Sequence, residues 1–339
     1  MINKPKKRNL VSVFIILILL LATLVAQRLI VSRGNSDYPK GNAGPEISFV
    51  VSKGESGTAI AQDLAIQHVI ANAQTMIKKL IARKIVGIAP GIHLIQTVIP
   101  SDEAIAQLLD QKRIIDSIYI LPNSTESDVL KNLHSITSLT QKDDLASIAP
   151  YYANPGNSLE GQLAPVQYSF QPGTSTHEAL VSMVKTFAEE VSATKLNQGF
   201  GKYSPYQVLT IASLLQIEAD PSDFGKVARV IYNRLAIGMP LQLNSTVQYA
   251  LGLRGQIGLS IKATKVESPY NTYLHTGLPP TPISNPSVQA ITGALTPENG
   301  DWLYFITVAP HDTRFTSSFQ TFEGWVALYN HNVAAGAFK

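Results

Sequence analysis

Not one cysteine occurs in the 339 residues. That absence excludes disulfides, thiolate metal sites and a cysteine nucleophile, and with them a lipoprotein anchor, which needs an acylated cysteine. A chain of this length can bury a large enough core without cross-links. Charge is sparse too. Only 15% of residues are charged and the net charge is +3, too little of one sign to argue for a nucleic-acid partner. The seven histidines are scattered, with no HExxH and no close pair, so no metal site is expected. A Gly-x-Ser-x-Gly elbow is missing, which removes the usual support for a Ser-His-Asp hydrolase. Gly199 and Gly201 precede a helical run but lack the third glycine and the leading strand of a dinucleotide fingerprint, so they read as a flexible entry loop. No lysine context or phosphate-cradling loop suits pyridoxal phosphate, and no cofactor is expected.

What the chain has in quantity is apolar residues, 45% of the total, which is globular rather than disordered and enough for two or three compact units. Lys4, Lys6, Lys7 and Arg8 precede an uncharged run from Leu10 to Ala26 in which thirteen of seventeen residues are Leu, Ile, Val or Phe. At about −0.3 to −0.6 kcal/mol each, those residues favour membrane insertion by about 4 to 8 kcal/mol. Leu24-Val25-Ala26 is a poor signal-peptidase site, so a retained anchor over 10–31 is favoured over a cleaved signal peptide. The basic tail, 1–9, would stay in the cytoplasm and the rest of the chain would lie outside a bacterial cytoplasmic membrane crossed once. Residues 32–45, rich in Gly, Pro and polar residues, read as a linker.

From Ile47 a strand-like run leads into an amphipathic helix carrying Ile60, Ala61 and Leu64, then a helical run around Met76–Ile85, a strand at Gly91–Ile95 and a helix from Ser101 to Gln111. These make a small α/β unit over 46–112. Residues 113–339 read as a larger mixed α/β domain, opening with a strand over Ile114–Leu121. The whole is an α+β chain. Thr176 to Val191 forms a long amphipathic helix. Near the C-terminus, Trp302–Val308, Arg314–Thr316 and a helix from Phe322 to Asn330 read as closing strands and a covering helix in the core.

The stretch with chemical character is Ser204–Asp220. Ser204 can cap a helix whose first residue is Pro205, and Val208, Ile211, Leu214 and Leu215 recur as one apolar stripe. Glu218 continues that stripe. A carboxylate on a buried face either finds a cationic partner or, desolvated, keeps its proton to higher pH and becomes a candidate general acid. Asp220-Pro221 stops the helix just beyond it. On the following helix, Asn233 and Arg234 could orient Glu218 or a sugar. Tyr270, Asn271 and Tyr273 then fall within four residues, among Leu278-Pro-Pro and Asn285-Pro. Rings and side-chain amides suit a neutral carbohydrate, and prolines would keep a groove preformed. Ordinary rigid turns with half-buried tyrosines are the competing reading.

Five ordered blocks decide between these readings: Ala212–Ala219, Val230–Gln242 (ValIleTyrAsnArgLeuAlaIleGlyMetProLeuGln), Ser245–Gly252, Ser268–Tyr273 and Gly277–Pro286. Together they resemble the MltG-like (YceG-like) endolytic murein transglycosylases of bacteria, from about Ile47 to the C-terminus. The resemblance implies a LysM-like subdomain over 46–112 and a catalytic domain over 113–339. It implies cleavage of the β-1,4 bond between N-acetylmuramic acid and N-acetylglucosamine in peptidoglycan glycan strands, with formation of a 1,6-anhydro end. Glu218 would be the catalytic acid and then base, and Gln242, Asn244, Thr246, Tyr270, Asn271, Tyr273 and Glu160 would contact substrate in a cleft with Tyr270 and Asn271 on its walls. Cell-wall synthases are the partners the family role implies. Departures from the family pattern stand at Gln216, often Glu; at Asn244-Ser245, often Asp-Pro; at Thr313 and Gly324, often His; and at Ala164, Val166 and Gln167 after Leu159-Glu160-Gly161. A muramidase releasing a reducing sugar, and a peptidoglycan-binding scaffold without turnover, remain the alternatives.

Overall fold

A computed structural model describes residues 37–338 except 53, 116, 143, 171–172 and 254–258. The anchor expected over 10–31 and the basic tail lie outside the described residues. Among the described residues, no helix is long and apolar enough to cross a membrane. The chain divides into two compact units, one running to Ser117 and including Ser169–Gln171, the other comprising 118–168 and the rest of the chain.

In the first unit β1 (Glu46–Val51) is followed by α1 (Gly57–Ile66), α2 (Ala73–Ala82), β2 (Gly91–Gln96), α3 (Ser101–Leu109) and β3 (Ile114–Ile115). β1 and β2 pair antiparallel from Glu46 opposite Gln96 to Val51 opposite Gly91, and β3 adds to the far side of β2. Alternation puts Phe49 and Val51 inward, where they meet Ile60 and Leu64 of α1, Met76 and Leu80 of α2 and Ile105 and Leu108 of α3. Ser56 and Asn72 cap α1 and α2. The cap of α3 comes from elsewhere. Pro100 precedes it and offers no side-chain acceptor, and Asp37 accepts from Ser101 N at 2.9 Å and from Ser101 Oγ at 3.0 Å while pairing with Lys79 at 2.8 Å.

The second unit begins with β4 (Ser117–Tyr119), here a shorter strand than the run to Leu121 suggests, then α4 (Glu126–His134), β5 (Gln167–Ser169), which pairs with β4, and α5 (Thr176–Ser192). Next come α6 (Pro205–Glu218), α7 (Phe224–Ala236), α8 (Asn244–Ala250), α9 (Val288–Leu295), the antiparallel hairpin β6 (Tyr304–Ala309) and β7 (Asp312–Thr316), and α10 (Phe319–Ala334).

Ser204 caps α6 in a capping box with Gln207, and Pro205 is its first residue. Ahead of it, Phe200 and Tyr203 exchange backbone hydrogen bonds of 3.1 and 3.0 Å, closing a tight turn. Gly199, at φ +66°, is required there because a side chain would collide with the Tyr203 carbonyl. The single stripe expected on α6 is too narrow a description. Every residue from Val208 to Leu215 is buried, because α7 and α9 pack against the helix and the loop 281–285 lies on it. Ser213 stitches that loop down, its Oγ accepting from Ile283 N at 3.1 Å and its carbonyl accepting from Ser284 Oγ at 3.2 Å. At its last turn α6 leaves the interior, and Gln216 through Asp220 are half-buried.

The hairpin and α10 also differ from the expectation of a closed core. Val308 is the one buried residue of β6 and β7, and none of α10 is buried. β6 packs on α10 and also touches α7, yet its residues stay only half-buried apart from Val308.

Candidate active site

Glu218 is the last residue of α6 and opens onto a cleft of about 620 Å³ within the second unit. Arg234, Gln242, Leu243, Asn244 and Tyr273 line it on one side. Tyr304 to Thr307 of β6 and Phe319, Phe322, Tyr329 and Phe338, from α10 and just beyond it, line the other. Glu218 is the sole carboxylate among these lining residues.

Burial holds the Glu218 carboxyl above the usual carboxylate range, against opposing pulls from Ser245 and the Arg234 guanidinium. The backbone N–H of Ser245 donates to Oε1 at 3.3 Å. Ser245 Oγ lies near enough to oppose the shift, yet its geometry gives it no hydrogen-bond partner, and it is buried. Arg234 does not pair with Glu218. Its Nε donates to Leu303 O at 2.6 Å and its Nη1 to Leu241 O, and its guanidinium stacks 5.5 Å from the Tyr304 ring. Burial lowers its proton affinity, but an arginine stays cationic, so Glu218 sees a fixed positive neighbour. Asn233, which the sequence grouped with Arg234, turns away and donates to Gly300 O and Trp302 O.

The loop carrying Gln242 and Asn244 is built by a buried hydroxyl pair. Thr272 Oγ1 accepts from Leu243 N at 3.0 Å and meets Thr246 Oγ1 at 2.9 Å, while Thr272 O accepts from Gln242 N at 3.0 Å. Gln242 sits at φ +50°, an unusual conformation for a residue with a side chain, and is exposed at the cleft. Tyr273 donates its hydroxyl to Asn244 Oδ1 at 2.6 Å, and burial followed by the nearby Glu218 raises its pKa.

Of the residues the sequence singled out, Glu218, Gln242, Asn244 and Tyr273 are thus brought together. The other four are not among the cleft's lining residues. Thr246 is fully buried, its hydroxyl donating to Leu243 O at 2.8 Å. Asn271 is fully buried and donates to Thr264 O and Val266 O at 3.1 and 2.8 Å, while its Oδ1 accepts from Tyr273 N at 3.0 Å. It shapes the turn that presents Tyr273, and the cleft wall expected of it is supplied by β6 instead. Tyr270 shares a 2.9 Å hydrogen bond with Thr281 and packs against Tyr249. Tyr249 in turn donates to Glu160 at 3.0 Å, and Glu160, 2% exposed, accepts from Glu126 N at the start of α4. Glu160 is a buried strut. Gln216, two residues before Glu218, accepts from the N–H of Ser287, the residue that caps α9, at 2.9 Å, a duty that an amide discharges without a charge.

Sequence reasoning missed the aromatic wall of β6 and α10. Its signal, a short and nearly continuous run of apolar and aromatic residues, is the same for a strand facing a core and one facing a cleft.

A model of the YceG-like family matches residues 49–327. The endolytic murein transglycosylase of Bacillus subtilis (strain 168) is 39% identical over 162 residues, 47% of this chain and 45% of that protein. The endolytic murein transglycosylase of Streptococcus pneumoniae (strain ATCC BAA-255 / R6) is 36% identical over 153 residues, 44% of this chain and 28% of that protein. The chain therefore spans less than half the length of these relatives. The crystal structure of a YceG-like protein from Listeria monocytogenes superposes with a TM-score of 0.51 at 25% identity, covering 83% of this chain and 99% of that one.

Proposed function

Since the chain belongs to the YceG-like family, we propose that its Glu218 cleft is a murein lytic transglycosylase site that cuts peptidoglycan strands internally. The observation that carries this reading is a single desolvated carboxyl in an open, ring-lined cleft. Glycosidases that use water or form a covalent intermediate need two flanking carboxylates. One suffices when the acceptor is a hydroxyl of the substrate itself.

Protonated Glu218 gives its proton to the glycosidic oxygen as the bond to C1 of N-acetylmuramic acid breaks, the electron pair leaving with that oxygen. The C6 hydroxyl of the same sugar then attacks C1, and its proton passes to the Glu218 carboxylate. The 1,6-anhydro ring closes and the acid is regenerated. Arg234 offers charge stabilisation to the carboxylate stage without neutralising the acid by pairing. Tyr273, Tyr304 and Phe305 supply ring faces for sugar stacking, and the exposed amides of Gln242 and Asn244 supply hydroxyl partners.

The finer organisation in this reading is a single-pass anchor over 10–31 in the bacterial cytoplasmic membrane, a LysM-like unit over 46–112 and work alongside cell-wall synthases. The insertion energy of the apolar run supports the anchor, and the small α/β pattern supports the unit over 46–112.

Purified glycan strands digested with the chain and with Glu218→Gln test the function. Mass spectrometry should find anhydro-ended fragments from the first and at least about a thousandfold fewer from the second. Reducing ends in place of anhydro ends would make the site a muramidase, and equal yields from both proteins would leave a scaffold.

A further inference from the structure

The geometry points to Ser245 as a positioning residue that orients the Glu218 proton into the cleft and stabilises the carboxylate once that proton has left. This rests on the proposed reaction. Its first element is the amide. Ser245 N–H donates to Oε1 at 3.3 Å, and among the described residues no group hydrogen-bonds Oε2. An oxygen already accepting from an N–H is the poorer place for a proton, so the proton resides on Oε2, the oxygen free to meet a glycosidic oxygen.

The second element is the hydroxyl. Ser245 Oγ is buried without a hydrogen-bond partner, a condition that native structures rarely tolerate without a reason. The Glu218 carboxyl, which the Ser245 backbone N–H already reaches, lies close enough for this hydroxyl to oppose the rise in its pKa. A hydroxyl can rotate. While Glu218 holds its proton, Ser245 Oγ gains little from it. When the proton has gone to the leaving oxygen, the carboxylate becomes a strong acceptor and the hydroxyl can donate to it. The interaction is then stronger after proton transfer than before, which is the condition for lowering the barrier rather than merely binding the ground state. When the C6 hydroxyl returns a proton to Glu218, the hydroxyl is released.

The other groups around the acid are poorly suited to this work. Arg234 on α7 is held by two carbonyls and keeps one charge throughout. Tyr273 gives its hydroxyl to Asn244. Tyr304 on β6 and Tyr329 on α10 line the same cleft, and their rings pack on Phe322 and Phe338. Asp220 is half-buried and pairs with the exposed His311 at 3.0 Å.

The test uses the full chain and two variants. Ser245→Ala removes the hydroxyl and keeps the amide; Ser245→Thr keeps both. In substrate-free protein, the Glu218 carboxyl is titrated by NMR on carbon-13-labelled glutamate, assigned with Glu218→Gln. Loss of a group that favours the ionised form should move the Ser245→Ala titration to higher pH, with Ser245→Thr returning toward the parent. On glycan strands, Ser245→Ala should lower kcat about tenfold or more, leave KM within about a factor of two, and move the alkaline limb of the pH profile upward. Its thermal midpoint should not fall, because an orphaned buried hydroxyl is being removed. An unchanged titration in Ser245→Ala, or one that Ser245→Thr does not restore, overturns the inference. So does a kcat loss that tracks a lowered thermal midpoint with no change in the pH profile. If the parent chain makes no anhydro ends, the proposed function fails by itself, and the titration still decides the role of Ser245.

Discussion

At the scale of the residue, Glu218 sits where two requirements conflict. A desolvated carboxyl makes a usable acid near neutrality, and the same desolvation destabilises the fold once the group ionises. In the unfolded chain Glu218 titrates in the ordinary carboxylate range; in the folded chain it holds its proton to higher pH. Between those two values the folded state binds a proton that the unfolded state has lost, so stability falls as pH rises through that window and is unaffected by Glu218 below it. Replacing the group by a neutral isostere removes the dependence. Glu218→Gln should match the parent's thermal midpoint near about pH 4 and exceed its stability at neutral and alkaline pH by about 1 to 3 kcal/mol, a few degrees in midpoint. Thermal unfolding followed across that range measures it. Parallel curves for the two proteins would mean that burial does not hold the acid's proton.

Elements divide sharply into those that carry the fold and those that carry the cleft. α6 is buried on all sides from Val208 to Leu215, so truncating one of these, Leu214→Ala, should cost about 2 to 5 kcal/mol of stability. α10 buries nothing completely, and its Phe319, Phe322 and Tyr329 line the open cleft. Phe322, stacked 5.3 Å from Tyr304, lines that cleft. Phe322→Ala should therefore shift the chemical-denaturation midpoint little, by about 1 kcal/mol or less, but raise KM for glycan strands several-fold. The reverse pattern, a large stability loss with unchanged KM, would assign α10 to the core.

This division also explains what the sequence could reveal. α6 was legible because its signals are local: Ser204, Pro205 and Gln207 form a cap within four residues, and Glu218 breaks an apolar run at a countable spacing. Tyr273 and Asn271 came to notice as a ring and an amide close together in the chain, and Gln242, Asn244 and Thr246 through motif resemblance. Of these, Asn271 and Thr246 shape the loops that present their neighbours, a distinction that only their buried hydrogen bonds disclose. Contacts between distant segments left no local trace. Asp37 caps a helix that starts 64 residues later, and Asn285 accepts from Leu163 N and donates to Ser124 O, tying three loops together. The aromatic wall of β6 was misjudged for a different reason, since a nearly continuous apolar run such as Trp302–Ala309 does not report whether it meets a core or a cleft.

For the whole molecule, every residue lining the cleft follows Ile118, so the chemistry is assembled within the second unit. Membrane attachment, in the proposed organisation, is a separate property that rests on 10–31. Thirteen strongly apolar residues in seventeen favour insertion by about 4 to 8 kcal/mol, and the basic residues ahead of them favour a cytoplasmic N-terminus. The two properties should come apart on cutting. Removing residues 1–31 should move the protein from the membrane fraction to the soluble fraction, while the rate of anhydro-end formation on isolated glycan strands stays within about a factor of two, because nothing in the cleft's lining is lost. In cells the same truncation should lose its effect on strand length if tethering is what brings the cleft to newly made strands, a difference read by chromatography of released glycan. A truncated protein that still sediments with membranes would show that attachment resides elsewhere in the chain. A soluble one that has lost activity on isolated strands would show that 1–31 contributes to the site and not merely to its address.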